Sequence, residues 1–162
     1  MLRESFPKEE QMPIWLLNIL NLRKGIEFLA FYEEKLFCGF AYLVHHRKTT
    51  FIVYLATNPD IHSKGFGSKI LKWIEKTYNQ NEIVLNIETV SPNYGNYQQR
   101  LRRQHFYFKN GYYKMDFKIE DNGVIYDILS NSKTFSFDKY KKMIRYFSFG
   151  FRNVEPYFEK QI

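Results

Sequence analysis

Residues 54–75 read YLATNPDIHSKGFGSKILKWIE, and the rest of the chain is organised around this stretch. Before Asn58 the residues are apolar or β-branched, as in a strand buried in a sheet. After Gly67 the apolar residues recur at helical spacing, at Ile70, Leu71, Ile74 and Tyr78. The pattern therefore predicts a strand that passes into a helix through a short polar loop containing Gly65 and Gly67.

The start of this helix is a candidate anion-binding site. The first N–H groups of a helix have no intrahelical acceptor, and the helix dipole places partial positive charge there, which suits a phosphate or diphosphate. Gly65 and Gly67 let the main chain approach a ligand without an intervening Cβ, and Ser68 adds a hydroxyl. The spacing fits neither a Walker loop nor a GxGxxG fingerprint, so an ordinary strand-to-helix turn stays open as the alternative.

Composition narrows the class of protein. The 162 residues suffice for one domain with a sizeable core, and an aromatic content of 19% excludes a disordered chain. Lysine and arginine outnumber aspartate and glutamate by 24 to 17, which gives a net charge of +7 and favours anionic partners. Cys38 is the single cysteine, which excludes an intrachain disulfide framework and suits a reducing compartment. Because no long apolar run or signal-peptide pattern is present, we expect a cytoplasmic protein without a membrane partner.

The remaining elements follow from periodicity and turn residues. The sequence predicts a first helix within residues 1–21, strands at 26–32, 36–46, 50–57 and 83–90, a helix at 97–110, a hairpin with strands at 112–120 and 124–129, and a helix at 135–147. This order predicts a mixed α/β sheet covered on both faces, in one domain of residues 1–162. The aromatic helix and tail from about residue 133 to 162 are expected to pack on the body or on a second subunit, as in a homodimer.

Several polar side chains are candidates for function. Glu88 lies in a predicted internal strand, where a buried carboxylate needs a partner, so it is either half of a strand-end salt bridge or a catalytic carboxylate. Arg100, Arg102 and Arg103 could bind phosphates or be solvated. His45 and His46 are expected in a solvated turn, because no further metal ligands are spaced nearby and no metal is expected.

Two blocks of sequence resemble the GNAT N-acetyltransferase superfamily. The segment YLATNPDIHSKGFGSKIL resembles its acyl-CoA binding segment, a strand ending in LAV, a short link with proline, and Gln/Arg-x-x-Gly-x-Gly/Ala. The six motif positions here are His62, Ser63, Lys64, Gly65, Phe66 and Gly67. His62 departs from the usual Gln or Arg, which affects a side chain but not the main-chain amides. The segment RRQHFYFKNGYY, residues 102–113, resembles the family's helix ending FYxxxGF, and the resemblance covers residues 25 to 129.

The resemblance implies a fold and a reaction. The fold is a GNAT-like mixed, mostly antiparallel twisted sheet with helices on both faces, in which the opening strand is missing or shortened here. The reaction is transfer of an acetyl group from acetyl-CoA to a primary amine, by direct attack in a ternary complex. The residues implied to bind coenzyme A are Leu55, Ala56 and Thr57 for the pantetheine and acetyl group, and His62, Ser63, Lys64, Gly65, Phe66, Gly67 and Ser68 for the diphosphate.

The resemblance also implies the catalytic pair. Glu88 stands where many members place their base, and Tyr107 stands where they place the acid that protonates the departing thiolate. For Tyr107 the alternative is an ordinary core aromatic residue. Cys38 lies in an apolar strand without an acid–base partner in sequence, which disfavours a covalent nucleophile.

Two other functions stay open at the sequence level. A GNAT-like fold could bind acyl-CoA as a non-catalytic sensor or interaction module, which the departure at His62 motivates. Nucleic acid binding ranks last, because no recognised motif accompanies the basic residues. Those residues are the stretch 100–118 and the cluster Lys139, Lys141, Lys142 and Arg145. No stretch carries a known code for the acetyl acceptor.

Overall fold

The computed structural model describes residues 13–20, 22–61 and 65–158. The expected loss or shortening of an opening strand concerns residues 1–12, which lie outside the described residues. The chain forms two compact units, the first ending at Asn81 and the second beginning at Glu82. The single-domain organisation therefore stays a prediction.

The described part of the first unit contains two helices and three strands. They are α1 (Ile14–Leu20), β1 (Ile26–Glu33), β2 (Leu36–His46), β3 (Thr49–Thr57) and α2 (Phe66–Thr77). The described part of the second unit contains β4 (Glu82–Glu88), α3 (Tyr97–Lys109), β5 (Tyr113–Asp121), β6 (Val124–Ser130), α4 (Phe137–Phe147) and β7 (Pro156–Tyr157). None of these described helices has the length and apolar character needed to cross a membrane.

In the first unit, β1, β2 and β3 pair antiparallel in that order. Residues that face each other across an antiparallel pair point to the same side, and Tyr42 on β2 faces Phe28 on β1. The Tyr42 hydroxyl donates to the carbonyl of Leu17 in α1 over 3.1 Å. On the opposite face, the Phe31 ring meets the Trp73 ring of α2 at 5.2 Å. The two helices therefore cover opposite faces of these three strands.

The expectation of a solvated turn is wrong for His45, because Tyr78 at the end of α2 covers its ring. The two rings lie 4.3 Å apart, and His45 Nδ1 is 2.9 Å from the hydroxyl of buried Thr50. The Tyr78 hydroxyl donates to Glu27 over 2.7 Å, and His45 Nε2 lies 3.5 Å from the same carboxylate. Burial lowers the pKa of His45, while burial and the hydrogen bond to Glu27 raise the pKa of Tyr78.

In the second unit the strand order is β4-β6-β5-β7, and every pairing in it is antiparallel. The predicted hairpin between β5 and β6 is confirmed, since Asn122 and Gly123 have φ of 50° and 78°, the left-handed conformation of its tight turn. Helix α4 begins after Ser136, whose side chain accepts from the amide of Lys139 as expected of an N-cap.

The aromatic C-terminal helix and tail pack in part on the second unit. Tyr140 of α4 is fully buried, and its hydroxyl accepts a hydrogen bond of 2.8 Å from Asn86 on β4. Tyr157 of β7 pairs with Lys118 of β5. By contrast, Phe151 is 90% exposed. Tyr140 and Tyr157 therefore contact strands of the second unit, and packing of the whole tail on the body or in a homodimer stays a prediction.

Candidate active site

The predicted strand-to-helix junction is present, with one correction. Helix α2 begins at Phe66, so Gly67 lies in its first turn rather than in the loop. The cause is Gly65, the N-cap residue, whose left-handed φ of 74° turns the chain directly into the helix. His62, Ser63 and Lys64 lie outside the described residues.

The first turn of α2 offers main-chain donors to a ligand. Gly65 supplies no side-chain cap, and no acidic residue lies in this described turn. In a helix the amides of the first residues have no intrahelical acceptor, and here these belong to Phe66, Gly67 and Ser68. The amide of Lys69 is the first to bond within the helix, to the carbonyl of Gly65 over 3.1 Å. This arrangement suits an anion held by N–H groups at the positive end of the helix dipole.

Asn58 anchors the loop between β3 and α2 to strand β2. Its amide donates to the carbonyl of Cys38 over 2.9 Å, and its side-chain amide donates to the carbonyl of Phe37 over 3.0 Å. Its side-chain oxygen accepts from the amide of Asp60, an Asx turn that leads into a short 3₁₀ helix, Pro59–Ile61. The path of the chain toward the helix start is therefore fixed by β2.

Gly39 on β2 permits the close approach of the end of β3. A Cβ at this position would lie 2.4 Å from the carbonyl oxygen of Ala56 and 3.2 Å from the side chain of Ile70 in α2. Ala56 is buried, and its neighbours Leu55 and Thr57 are half-buried. Sequence reasoning missed Gly39, although a glycine inside an apolar strand is a known sign of close backbone approach.

A register shift lies just before Leu55, Ala56 and Thr57 on β3. Tyr42 pairs with Tyr54 and Leu43 pairs with Ile52, so Val53 is an additional residue on β3. Such bulges bend a strand and are over-represented beside active sites. Burial, with a smaller contribution from Tyr54, raises the pKa of Tyr42 to about 12, so the Tyr42 hydroxyl is a neutral group of the core.

Glu88, the candidate base, ends β4 and is only 6% exposed. One carboxylate oxygen lies 2.7 Å from Nη2 of Arg100 and accepts a long hydrogen bond of 3.5 Å from Asn96. The other oxygen lies 3.6 Å from Nη1 of Arg103. The salt bridge that the sequence left open is therefore present, and it supplies the partner that a buried carboxylate needs. A catalytic role for the same carboxylate stays a prediction.

The sequence predicted that Arg100 either binds a phosphate or is solvated, and both alternatives are wrong for this residue. It is 8% exposed, its Nε donates to Asn96 over 2.7 Å, and its Nη1 donates to the carbonyl of Thr89 over 3.0 Å. The guanidinium lies 3.9 Å from the ring centre of Tyr94. Helical side chains lean toward the N-terminus of their helix, which carries Arg100 back over the preceding loop. Arg102 is exposed, as a solvated residue would be.

Tyr107, the candidate acid, lies in the last turns of α3 and is 7% exposed. Its ring makes edge contacts with Phe106 at 5.1 Å and with Tyr112 at 5.8 Å. The predicted left-handed end of this helix is confirmed at Gly111, where φ is 86°. These contacts agree with a core aromatic residue and leave the acid role a prediction.

A second buried carboxylate was not singled out from the sequence. Asp127 on β6 is fully buried, faces Ile87 on one side and Lys118 on the other, and lies 2.9 Å from Nζ of Lys114. The described residues hold no group of three or more His, Cys, Asp or Glu arranged to bind a metal ion. Glu88 and Asp127 thus each lie within ion-pair distance of a basic side chain.

Comparison with known proteins identifies the class of protein. A family model described as an acetyltransferase (GNAT) domain matches residues 24–114, more than half of the chain. The fold is similar to that of an acetyltransferase of the GNAT family from Bacteroides thetaiotaomicron, with 22% identity, a TM-score of 0.71 and coverage of 90% of this chain and 83% of that one. No curated protein sequence matches the chain.

Two further solved structures have a similar fold. The ribosomal-protein-S18-alanine N-acetyltransferase from Escherichia coli is 12% identical, with a TM-score of 0.56 and coverage of 77% of each chain. The PaiA N-acetyltransferase from Thermoplasma acidophilum, solved in complex with coenzyme A, is 19% identical, with a TM-score of 0.51 and coverage of 71% of this chain and 67% of that one. These likenesses define an acetyltransferase fold.

The chain belongs to the GNAT acetyltransferase family. The predicted fold class, a mixed α/β fold with mostly antiparallel strands, is confirmed. The family supports acyl transfer from a coenzyme A thioester as the general activity.

Proposed function

We propose that the protein is an acetyl-CoA-dependent N-acetyltransferase that moves an acetyl group to a primary amine within a ternary complex. The observation that carries this proposal is the start of α2, where Gly65 leaves the first main-chain amides without a side-chain cap in a chain that belongs to this family. Such a turn suits the diphosphate of coenzyme A.

The donor site is built mainly from main-chain groups in this proposal. The amides from Gly65 to Ser68 hold the diphosphate, together with His62, Ser63 and Lys64 by their place in the motif. The backbone of Leu55, Ala56 and Thr57 contacts the pantetheine and the acetyl group. The close packing of Gly39 against Ala56 supports a fixed position for this strand end. The Thermoplasma acidophilum relative, solved with coenzyme A, supports the choice of cofactor.

The reaction needs proton transfers at the amine nitrogen and at the departing thiolate. An alkylammonium has a pKa of about 10 and must lose a proton before its nitrogen can attack the thioester carbon. Glu88 accepts that proton, directly or through water. As the C–N bond forms and the C–S bond breaks, the nitrogen releases its second proton to solvent, and the departing thiolate of coenzyme A receives a proton from Tyr107, which solvent then restores. The chain needs no metal for these steps.

A second candidate function is a non-catalytic acyl-CoA sensor or interaction module. The observation that favours it is the engagement of Glu88, which Arg100 holds at 2.7 Å and Arg103 approaches at 3.6 Å. A carboxylate held in this way is less available to an incoming amine than a solvated one.

A panel of amines with acetyl-CoA, followed by release of free thiol, separates the two functions. The proposed enzyme releases thiol with at least one amine, and Tyr107→Phe lowers that turnover with little loss of acetyl-CoA affinity. Unchanged turnover in Tyr107→Phe removes Tyr107 from the mechanism. Binding of acetyl-CoA without transfer to any amine favours the sensor.

A cytoplasmic location is also proposed, since Cys38 is a free, buried thiol that suits a reducing compartment.

A further inference from the structure

The loop between β4 and α3, residues 89–96, is arranged around a single side chain. Arg100 donates to the carbonyl of Thr89 at the start of this loop and to the side chain of Asn96 at its end. Between these points its guanidinium lies against the ring of Tyr94. The same guanidinium pairs with Glu88, the residue just before the loop.

Other hydrogen bonds also hold the two ends of the loop, since the amide of Thr89 donates to the carbonyl of Ile125 on β6 over 2.9 Å and the carbonyl of Tyr94 accepts from the amide of Tyr97 over 3.0 Å. Within it, the amide of Tyr94 bonds the carbonyl of Ser91 over 3.2 Å, and the amide of Asn93 reaches the Ser91 hydroxyl at 3.4 Å. Asn93 and Gly95 are exposed. A guanidinium is suited to hold such a loop, because its planar fork donates several hydrogen bonds at once and stacks on an aromatic face.

We propose that Arg100 is a positioning residue, which holds the β4–α3 loop and the carboxylate of Glu88 in one arrangement for the amine acceptor. This inference rests on the proposed function, because the loop is long enough to wall a substrate cleft and Glu88 is the candidate proton acceptor. Loss of Arg100 then affects use of the amine and leaves the binding of acetyl-CoA unchanged, since α2 and not the loop supplies the proposed diphosphate donors.

The first test measures the loop itself and does not depend on activity. Removing Arg100 alone would leave Glu88 buried without its closest partner and could unfold the protein. The variants compared by hydrogen exchange are therefore Glu88→Gln, Glu88→Gln with Arg100→Met, and Arg102→Met as a control on the same helix. In the double variant, exchange of the loop amides becomes about tenfold faster while the amides of β5 and β6 keep their rates.

The other variants define the reference for that measurement. In Glu88→Gln the loop amides stay close to the wild-type rates, because the contacts of Arg100 with Thr89, Tyr94 and Asn96 remain. Arg102→Met leaves the exchange rates of the loop amides unchanged, because Arg102 is exposed. Wild-type exchange rates in the loop of the double variant would overturn the proposal.

The second test measures whether a substitution of Arg100 changes the kinetics with the amine, with acetyl-CoA, or with both. Arg100→Lys keeps a charge for Glu88 but cannot make the same set of contacts, so kcat/KM for the best amine falls by about tenfold to hundredfold. The KM for acetyl-CoA stays within about twofold of the wild type, as for a change confined to the acceptor side. An equal effect on both substrates would mean a general structural role and would overturn the proposal. If no amine is acetylated, the proposed function fails, and hydrogen exchange alone decides whether Arg100 organises the loop.

Discussion

The start of α2 and the cluster around Glu88 are built in opposite ways. The first is made of main-chain atoms, with Gly65 as an uncapped helix start and Gly39 as the point where strand and helix approach closely. The second is made of side chains, in which Arg100 joins Glu88 to the loop that follows it. A site of main-chain amides tolerates changes of side chain and is sensitive to added bulk. A site of interlocked side chains is sensitive to the loss of any member.

This contrast agrees with the departure at His62. A residue other than Gln or Arg at that position leaves the amides of the helix start in place, since they depend on backbone conformation and not on side-chain type. No equivalent tolerance of activity is expected at Glu88, because there the proposed proton acceptor is the carboxylate side chain itself. The two regions should therefore respond differently to conservative substitutions.

The largest effect is expected for Gly67→Val in the first turn of α2. A branched side chain there obstructs the approach of a diphosphate to the amides, so affinity for acetyl-CoA falls by about 100-fold or more. Ser68→Ala, the matched control, removes only a hydroxyl and leaves affinity within about threefold. Titration calorimetry measures both values, and equal affinities for the two variants would mean that the site is not a main-chain site.

Glu88→Gln should abolish most of the activity while sparing the cofactor. As the proposed proton acceptor, Glu88 accounts for about 100-fold or more in kcat, and affinity for acetyl-CoA stays at the wild-type value. Glu82→Gln is the control, because Glu82 is at the other end of β4 and pairs with Lys139. Steady-state rates for the best amine test this prediction, and wild-type kcat in Glu88→Gln would leave only the structural salt bridge.

Gly39→Ala should destabilise the first unit. The added Cβ would lie 2.4 Å from the carbonyl oxygen of Ala56, so strands β2 and β3 must move apart. The expected loss in the free energy of unfolding is about 1–3 kcal/mol. Gly95→Ala is the control, because a Cβ there meets no atom within 4 Å. Urea unfolding measures the difference, and equal stability of the two variants would show that the close approach is not required.

The smallest effect is a pH dependence of stability at His45. Burial lowers the pKa of the folded imidazole, with the Glu27 carboxylate opposing this, relative to an unfolded value of about 6.5. Below that value the unfolded chain binds a proton that the folded chain does not. The free energy of unfolding therefore falls as the pH decreases from about 6.5 through the lowered pKa.

Urea unfolding across this pH range tests the assignment. His45→Gln should flatten the dependence without removing it, because burial lowers the pKa of His46 in the same direction. His105→Gln, at an exposed position on α3, should keep the wild-type slope. If the free energy of unfolding of His45→Gln varied with pH as steeply as that of the wild type, the pH dependence could not be assigned to His45.

The sequence predicted the features that depend on local chemistry. The bounds of β2, the tight turn at Asn122 and Gly123, and the capping of α4 by Ser136 all follow from neighbouring residues. The main-chain donors at the start of α2 were predicted for the same reason, with a helix start slightly displaced by the left-handed Gly65.

The features that were missed depend on residues brought together by the fold. His45 looked solvated because Tyr78, which covers it, follows at the far end of α2. Arg100 looked like any helix-surface arginine, since spacing does not indicate that its side chain turns back over the preceding loop. Asp127 was overlooked because only strand register places a buried carboxylate near Lys114. Side-chain pairing of this kind has no local sequence signal.

We propose above all that main-chain amides of α2 hold a diphosphate. Titration calorimetry of the wild-type protein tests this most directly, with coenzyme A as one ligand and pantetheine, which lacks the diphosphate, as the other. Coenzyme A is expected to bind, and pantetheine is expected to bind at least about 100-fold more weakly, since it offers no anion to the helix start. Absence of coenzyme A binding, or equal affinity for the two ligands, would contradict the account.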